Sequence, residues 1–337
     1  MNLRPAAGEG ETPKVLRASE PIRVGVVGLG YFGAHHARQY AANPAARLVA
    51  VADMDLSRAS ATADTYSAEA HADHRGLIGK VEAVSIAAPT SLHHAIARDF
   101  LEAGIHVFVE KPIAADVATA ADLIARAKRN AVALQVGHIE RFSPAFRRLQ
   151  AEVREAHLIE CVRKAPWKGR AADVDVVLDL MIHDIDLALT LAASPVVGVA
   201  AAGSRVVSLT NDAAHAILTF ASGARAILSA SRVAAKSERT VSVAGAGRQL
   251  IADLAAPSLT IISGEAGGVV AETIALDAQD NLAAEIAAFL DSVASGTPPI
   301  VDGRAGLDAL KVADMILAAI AGRDPFASHD SVNGDIH

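Results

Sequence analysis

An apolar run, Ile22-Arg-Val-Gly-Val-Val27, leads directly into Gly28-Leu-Gly30-Tyr31-Phe32-Gly33. A strand feeding a glycine turn and then a helix is the opening of a dinucleotide-binding βαβ unit, and each glycine has its own reason. Gly28 permits the tight turn, Gly30 lets the backbone approach a pyrophosphate, and Gly33 lets the new helix pack closely on the strand. Tyr31 and Phe32 fall in the first turn of that helix, whose unsatisfied N–H groups and partial positive charge favour phosphate. A second apolar run, Arg47-Leu-Val-Ala-Val-Ala-Asp53, ends in an acid 25 residues after Gly28, near the spacing of a ribose-binding carboxylate. Asp53 accepts both adenosine ribose hydroxyls and repels a 2′-phosphate, and the neighbouring Met54 and Asp55 supply no cation for one. The cofactor is therefore expected to be NAD, preferred over NADP by roughly 100-fold.

The chain has 337 residues, 52% of them hydrophobic, and a net charge of −7. That length suits about two domains, and an acidic balance without a basic run argues against a nucleic-acid partner. The single cysteine, Cys161, excludes an intrachain disulfide, reads as a small core residue and fits a reducing cytoplasm. Glu9, Glu11 and Glu20 interrupt the first 20 residues, which read as a flexible extension and not as a secretory signal. Residues 187–204 are uncharged, but Pro195 and Gly198 break them, so a helix end, a turn and a strand are expected there and no membrane span.

Up to residue 140, short apolar runs alternate with amphipathic stretches, the pattern of a parallel sheet with crossover helices. The further strands are Glu82–Ala88, His106–Glu110 and Ala131–Val136, with helices at Ser91–Ala103 and Asp116–Lys128. Ligands bind outside the carboxyl ends of such strands, so the glycine turn, Asp53, Ala88-Pro89-Thr90 and Glu110-Lys111-Pro112 are expected to converge. Beyond residue 155 the texture changes to strands joined by short turns, including Leu158–Ala165 and Val196–Leu209, with turns at Ser222-Gly223 and Ala244–Gly247. The fold expected is an α/β Rossmann domain, 21–140, and an α+β domain with a mostly antiparallel open sheet, 141–322. An extension at 1–20 and a tail at 323–337 flank them.

The helix expected to begin near Leu178 carries Asp179, His183 and Asp186. At about 100° per residue the three lie within about 60° of one another, a polar stripe on an otherwise apolar helix. Such a stripe is costly to bury without a use. A histidine oriented by Asp179, with Lys111 on a rigid turn beside the cofactor, can together deprotonate and polarise an alcohol.

The glycine turn, Ala88-Pro-Thr-Ser-Leu-His93, Glu110-Lys-Pro112 and Asp179-x-x-x-His183-x-x-Asp186, in that order and spacing, resemble the glucose-fructose oxidoreductase/inositol dehydrogenase (Gfo/Idh/MocA) family from about Ile22 to Ala321. The resemblance implies that Lys111, Asp179 and His183 are catalytic, that His93 lies near the nicotinamide ribose, and that the Lys111–Pro112 peptide is cis. Met181 stands where the family usually has glycine, a departure that narrows the subgroup. Two segments, Val136-Gly-His-Ile-Glu-Arg-Phe-Ser-Pro144 and Asp175–Asp186, are similar to bacterial enzymes that oxidise the 3-hydroxyl of UDP-N-acetylglucosamine, although Ser143 stands where those more often have asparagine.

That narrower resemblance implies a UDP-sugar substrate and a 3-keto product that feeds a 3-aminotransferase in lipid A biosynthesis. It also implies a cytoplasmic homo-oligomer, dimer or tetramer, assembled through the open sheet. Arg141 and Arg170 are the forked cations expected on the diphosphate, with Lys111 and His183 on the sugar. Which of Lys111 and His183 is the base stays open. Hydride transfer needs no metal here, and His71, Asp73 and His74 lack a fourth ligand; His35 and His36 read as packing or surface residues. The rival activities are an inositol or free-sugar dehydrogenase of the same family and a non-catalytic NAD-sensing regulator, against which the presence of Lys111, Asp179 and His183 counts.

Overall fold

The computed structural model describes residues 20–169, 173–265 and 268–326. The expected extension and tail lie almost wholly outside them, as does Arg170. The chain forms two compact units, each discontinuous in sequence. One takes the residues up to Glu110, 121–135 and 286–302, and the other takes 111–120, 136–285 and 303 onward.

In the first half of the chain six strands, β1 (Ile22–Val27), β2 (Ala46–Ala52), β3 (Glu69–His71), β4 (Ala83–Ile86), β5 (His106–Glu110) and β6 (Leu134–Gly137), form one sheet in the order β3-β2-β1-β4-β5-β6. Every strand pair resolved along β3-β2-β1-β4-β5 is parallel. β4 is buried along its whole length, as expected of a parallel strand covered on both faces. The strands alternate with α1 (Tyr31–Ala42), α2 (Leu56–Tyr66), α3 (Thr90–Glu102) and α4 (Val117–Arg129). Local chemistry sets the ends of α2: the Asp55 carboxylate accepts from the N–H groups of Ser57 (3.1 Å) and Arg58 (3.3 Å), and Ser67 closes the helix in the left-handed region.

The second half begins with α5 (Pro144–Glu152) and β7 (Leu158–Lys164). A π-helical turn, Val177–Met181, then passes directly into α6 (Ile182–Ala192). Strands β8 (Val196–Ser204), β9 (Ala213–Phe220), β10 (Arg225–Ser231), β11 (Glu238–Gly245), β12 (Arg248–Asp253), β13 (Ser258–Glu265) and β14 (Gly268–Ala275) follow, and α7 (Asn281–Ser295) and α8 (Gly303–Ile320) close the described chain. The eight strands of this sheet run in the order β14-β13-β12-β11-β7-β10-β9-β8, with β7 and β10 parallel and the other neighbours antiparallel. One face is buried through alternate residues such as Ile159, Cys161, Leu218 and Leu228, packed with α6 and α8. The opposite face shows Leu158, Ile217 and Ile227 to solvent.

Two local expectations change. The strand expected to reach Leu209 stops at Ser204, because the N–H groups of Val206, Val207 and Ser208 turn to the buried carboxylate of Asp212 (2.7, 2.7 and 3.0 Å). Burial pushes the Asp212 carboxyl up, but those three donors and the Ser208 hydroxyl outweigh it and hold the group well below its ordinary value. The helix expected from Leu178 is not one regular helix either, since its first turn is π-wound. π turns inside helices often mark functional sites. Among the described residues no helix is long and apolar enough to cross a membrane.

Candidate active site

The glycine turn has the geometry its residues call for. Gly28 has φ +82°, and a Cβ there would lie 2.7 Å from the backbone N of Ala88. A Cβ on Gly33 would sit 1.7 Å from the carbonyl oxygen of Gly28, so helix and turn touch backbone to backbone. A Cβ on Gly30, by contrast, would meet no atom within 4 Å. That open side, beside the first N–H groups of α1, fits a pyrophosphate of NAD. Tyr31 and Phe32 are exposed on the same turn, their rings edge to face.

Asp53 stands at the end of β2 with its side chain largely covered. Its Oδ2 accepts from the N–H of Leu29 in the glycine turn (2.7 Å) and its Oδ1 from the N–H of Asp55 (2.8 Å). Arg58 also reaches it, at 3.2 and 3.3 Å, so a cation does stand at Asp53 although Met54 and Asp55 supply none. The arginine sits one helical turn into α2, beyond the two neighbours read from the sequence. Ala88, Pro89 and Thr90 form the β4–α3 junction, and buried His93 is bonded through Nε2 to the Ala88 carbonyl (2.9 Å), so it pins that junction. Glu110 closes β5 and meets His36 Nε2 at 2.9 Å, while His36 Nδ1 meets Ser85 Oγ at 3.1 Å and Tyr40 Oη meets the same oxygen at 2.7 Å. His36 is fully buried. Its place in this polar chain was missed from sequence, where the His35-His36 pair gave no sign of which ring faces inward.

The second group of expected residues also comes together. Lys111, whose peptide to Pro112 is cis, donates from Nζ to the carbonyl oxygen of Asp179 at 2.7 Å and lies 3.5 Å from its Oδ1. His183 follows in the first turn of α6. Its buried Nδ1 hydrogen-bonds no group among the described residues, so the expected Asp179–His183 bond is absent and the carboxylate serves Lys111 instead. The π turn accounts for this, since its wider winding removes the regular angular offset that placed Asp179 over His183. Burial holds the His183 imidazole well below its ordinary value, reinforced by the positive charges of Lys111, Arg163 and Arg239 and by the neighbouring His138. It is therefore a neutral ring, able to accept a proton.

Arg141 does not present a free fork. Its Nε and Nη2 donate to the two oxygens of buried Asp186 at 2.7 and 2.8 Å, so both the third member of the expected stripe and the expected phosphate ligand are spent on each other. Beneath them Arg163 is buried on β7, bonded to Asp184 at 2.8 to 3.0 Å and to Glu140 Oε1 at 2.6 Å. Burial alone would weaken its charge, but the two carboxylates hold it cationic. No sequence signal pointed to this buried network.

A fold of this kind, with an NAD-type glycine turn in one unit and a lysine–aspartate–histidine group in the other, is that of a dehydrogenase. The chain belongs to the GFO/IDH/MocA oxidoreductase family: the family's NAD-binding Rossmann-fold model matches residues 22–138 and its C-terminal domain model matches 136–250. It is an NAD-dependent oxidoreductase. Among relatives, the UDP-N-acetylglucosamine 3-dehydrogenase of Acidithiobacillus ferrooxidans is 37% identical over 306 residues, covering 89% of this chain and 97% of that protein. An inositol 2-dehydrogenase of Rhizobium meliloti is 28% identical over 89% of this chain and 97% of its own. The solved structure of the Acidithiobacillus enzyme superposes with a TM-score of 0.86 over 89% of this chain and 98% of that one.

Proposed function

We propose that the chain oxidises the 3-hydroxyl of UDP-N-acetylglucosamine to the 3-keto sugar nucleotide, with Lys111, Asp179 and His183 as its catalytic group. The observation that carries this reading is the Lys111–Asp179 contact together with a neutral His183 whose Nδ1 makes no hydrogen bond among the described residues, in a chain similar over nearly its full length to an enzyme of that name. Bound NAD supplies the hydride acceptor. His183 takes the hydroxyl proton, since its imidazole is held neutral and Nδ1 makes no competing bond. Lys111, anchored on the Asp179 carbonyl, donates to the developing alkoxide. Asp179 thus acts by holding the lysine and its charge, and the base role falls to His183.

The product carries a ketone at C3, the functional group that an aminotransferase converts to an amine, so we place the enzyme upstream of a 3-aminotransferase in lipid A biosynthesis. We place it in the cytoplasm, as a homo-oligomer joined through the open face of the eight-stranded sheet. The second reading, an inositol dehydrogenase, has the relatives of that name behind it. Purified protein with NAD is offered UDP-N-acetylglucosamine or myo-inositol while NADH absorbance is followed. Turnover with the nucleotide sugar and not with inositol is expected; the reverse overturns the proposal.

A further inference from the structure

We propose that Arg239 receives the diphosphate of the substrate, an inference that rests on the UDP-sugar reading above. Arg239 lies on β11 directly opposite Arg163 on β7, so the two side chains share the sheet face that carries α6. Like charges so placed repel unless a carboxylate stands between them, and Glu140 does: its Oε1 accepts from Arg163 Nη1 at 2.6 Å and lies 3.8 Å from Arg239 Nη1.

The two arginines differ in what is left to them. The Arg163 side chain is 5% exposed, with its guanidinium committed to Asp184 and Glu140. The Arg239 side chain is 51% exposed, and its guanidinium donates no hydrogen bond within 3.5 Å among the described residues. Two guanidinium groups and two carboxylates make a neutral cluster in which the carboxylates are buried and the Arg239 end faces outward. A planar fork of N–H donors presented in this way suits the paired oxygens of a diphosphate. The site is also close to the chemistry, for the Arg239 charge is among those that keep His183 neutral.

Three other cations of this unit near the same elements are already engaged. Arg141 is bidentate on Asp186. Arg232 donates to Asp212, the Val174 carbonyl, Ser208 and Thr210. Lys164 is paired with Glu238 at 3.2 Å. Arg239 takes the place that the sequence reading gave to Arg141.

The test compares wild type, Arg239→Met and Arg239→Lys. Calorimetric Kd for UDP alone is measured beside kcat and KM for UDP-N-acetylglucosamine, with Tm and NAD affinity as controls. Arg239→Met is expected to weaken UDP binding and raise KM by roughly 10- to 100-fold, the range for lost hydrogen bonds to a charged group, while kcat stays within about 3-fold and NAD affinity is unchanged. Arg239→Lys, which keeps the charge and loses the fork, is expected to fall between the two. A lowered Tm with unchanged UDP Kd and KM overturns the proposal and leaves Arg239 as a counter-charge for Glu140, and a loss confined to kcat overturns it in favour of a field effect on His183. If Arg239→Met does not fold, an Arg239→Lys protein with wild-type Kd and KM overturns it equally. A wild type that binds UDP as well as Arg239→Met does overturns this assignment alone, whereas a wild type that binds neither UDP nor UDP-N-acetylglucosamine overturns the UDP-sugar reading and this proposal with it.

Discussion

His183, the proposed base, is buried among positive charges, and its behaviour with pH follows from those surroundings. In the unfolded chain it takes a proton near pH 6.5; in the folded protein burial and neighbouring cations resist that proton. Below about pH 6.5 the unfolded state therefore binds more protons, and stability falls with falling pH. His183→Gln is expected to flatten that part of the Tm-against-pH curve and to lower kcat by about 100-fold or more. In the wild type the acid limb of kcat should lie below pH 6.5, and a limb above it in a pH–rate profile would remove His183 as the base.

Arg141 gives a contrasting expectation. Because Asp186 is buried beneath it, Arg141→Met should act through stability, costing about 3–5 kcal/mol in denaturant unfolding as an uncompensated carboxylate is left behind. A selective loss of UDP affinity at wild-type stability would refute that. At this scale the sequence pointed to candidate residues but not to their pairing. Asp179, Asp184 and Asp186 lie close along one segment, and which of them meets Lys111, Arg163 or Arg141 depends on strands and turns far off in the chain.

At the scale of elements, the glycine turn separates two kinds of requirement. Gly33→Ala drives a Cβ into the Gly28 carbonyl and should destabilise the protein outright. Gly30→Ala meets no atom of the chain, so Tm should hold while the NAD Kd, read by fluorescence titration, rises roughly 10-fold or more as the backbone is kept from the pyrophosphate. Equal Tm losses in both variants would contradict this division. In α8, burial and the nearby Asp116 push the Asp314 carboxyl up to about 6. Above that pH the folded state holds it ionised at a cost in stability, so Asp314→Asn should raise Tm at pH 8, the gain fading toward pH 4.

Strands and helices of regular period were legible, including the β9–β10 turn at Ser222-Gly223, where Gly223 has φ +88°. The π turn was not, because apolar periodicity assumes 3.6 residues per turn. The early end of β8 was missed for a related reason, since the Asp212 carboxylate that captures its next N–H groups reads in sequence as an ordinary loop acid.

For the whole molecule, the proposed self-association through the open face of the eight-stranded sheet can be tested directly. Ile217→Glu with Ile227→Glu places charge on exposed neighbours of adjacent strands, and light scattering should then report a monomer with Tm little changed apart from what assembly contributed. An unchanged assembly would move the interface elsewhere. The two-part architecture was legible from the change in texture after residue 155, whereas the return of the chain was not, because a helix pattern does not announce which sheet it will cover.

That return matters during synthesis. The unit holding the glycine turn includes residues 286–302, and Phe289 from that stretch packs edge to face on Phe108 of β5 at 5.7 Å. A ribosome emits β5 long before Phe289, so the nascent nucleotide-binding half waits, with part of its apolar surface uncovered, for nearly the whole polypeptide to emerge. Fragments ending near residue 140 accordingly lack part of this unit, and neither unit corresponds to one continuous stretch that a single splice would carry.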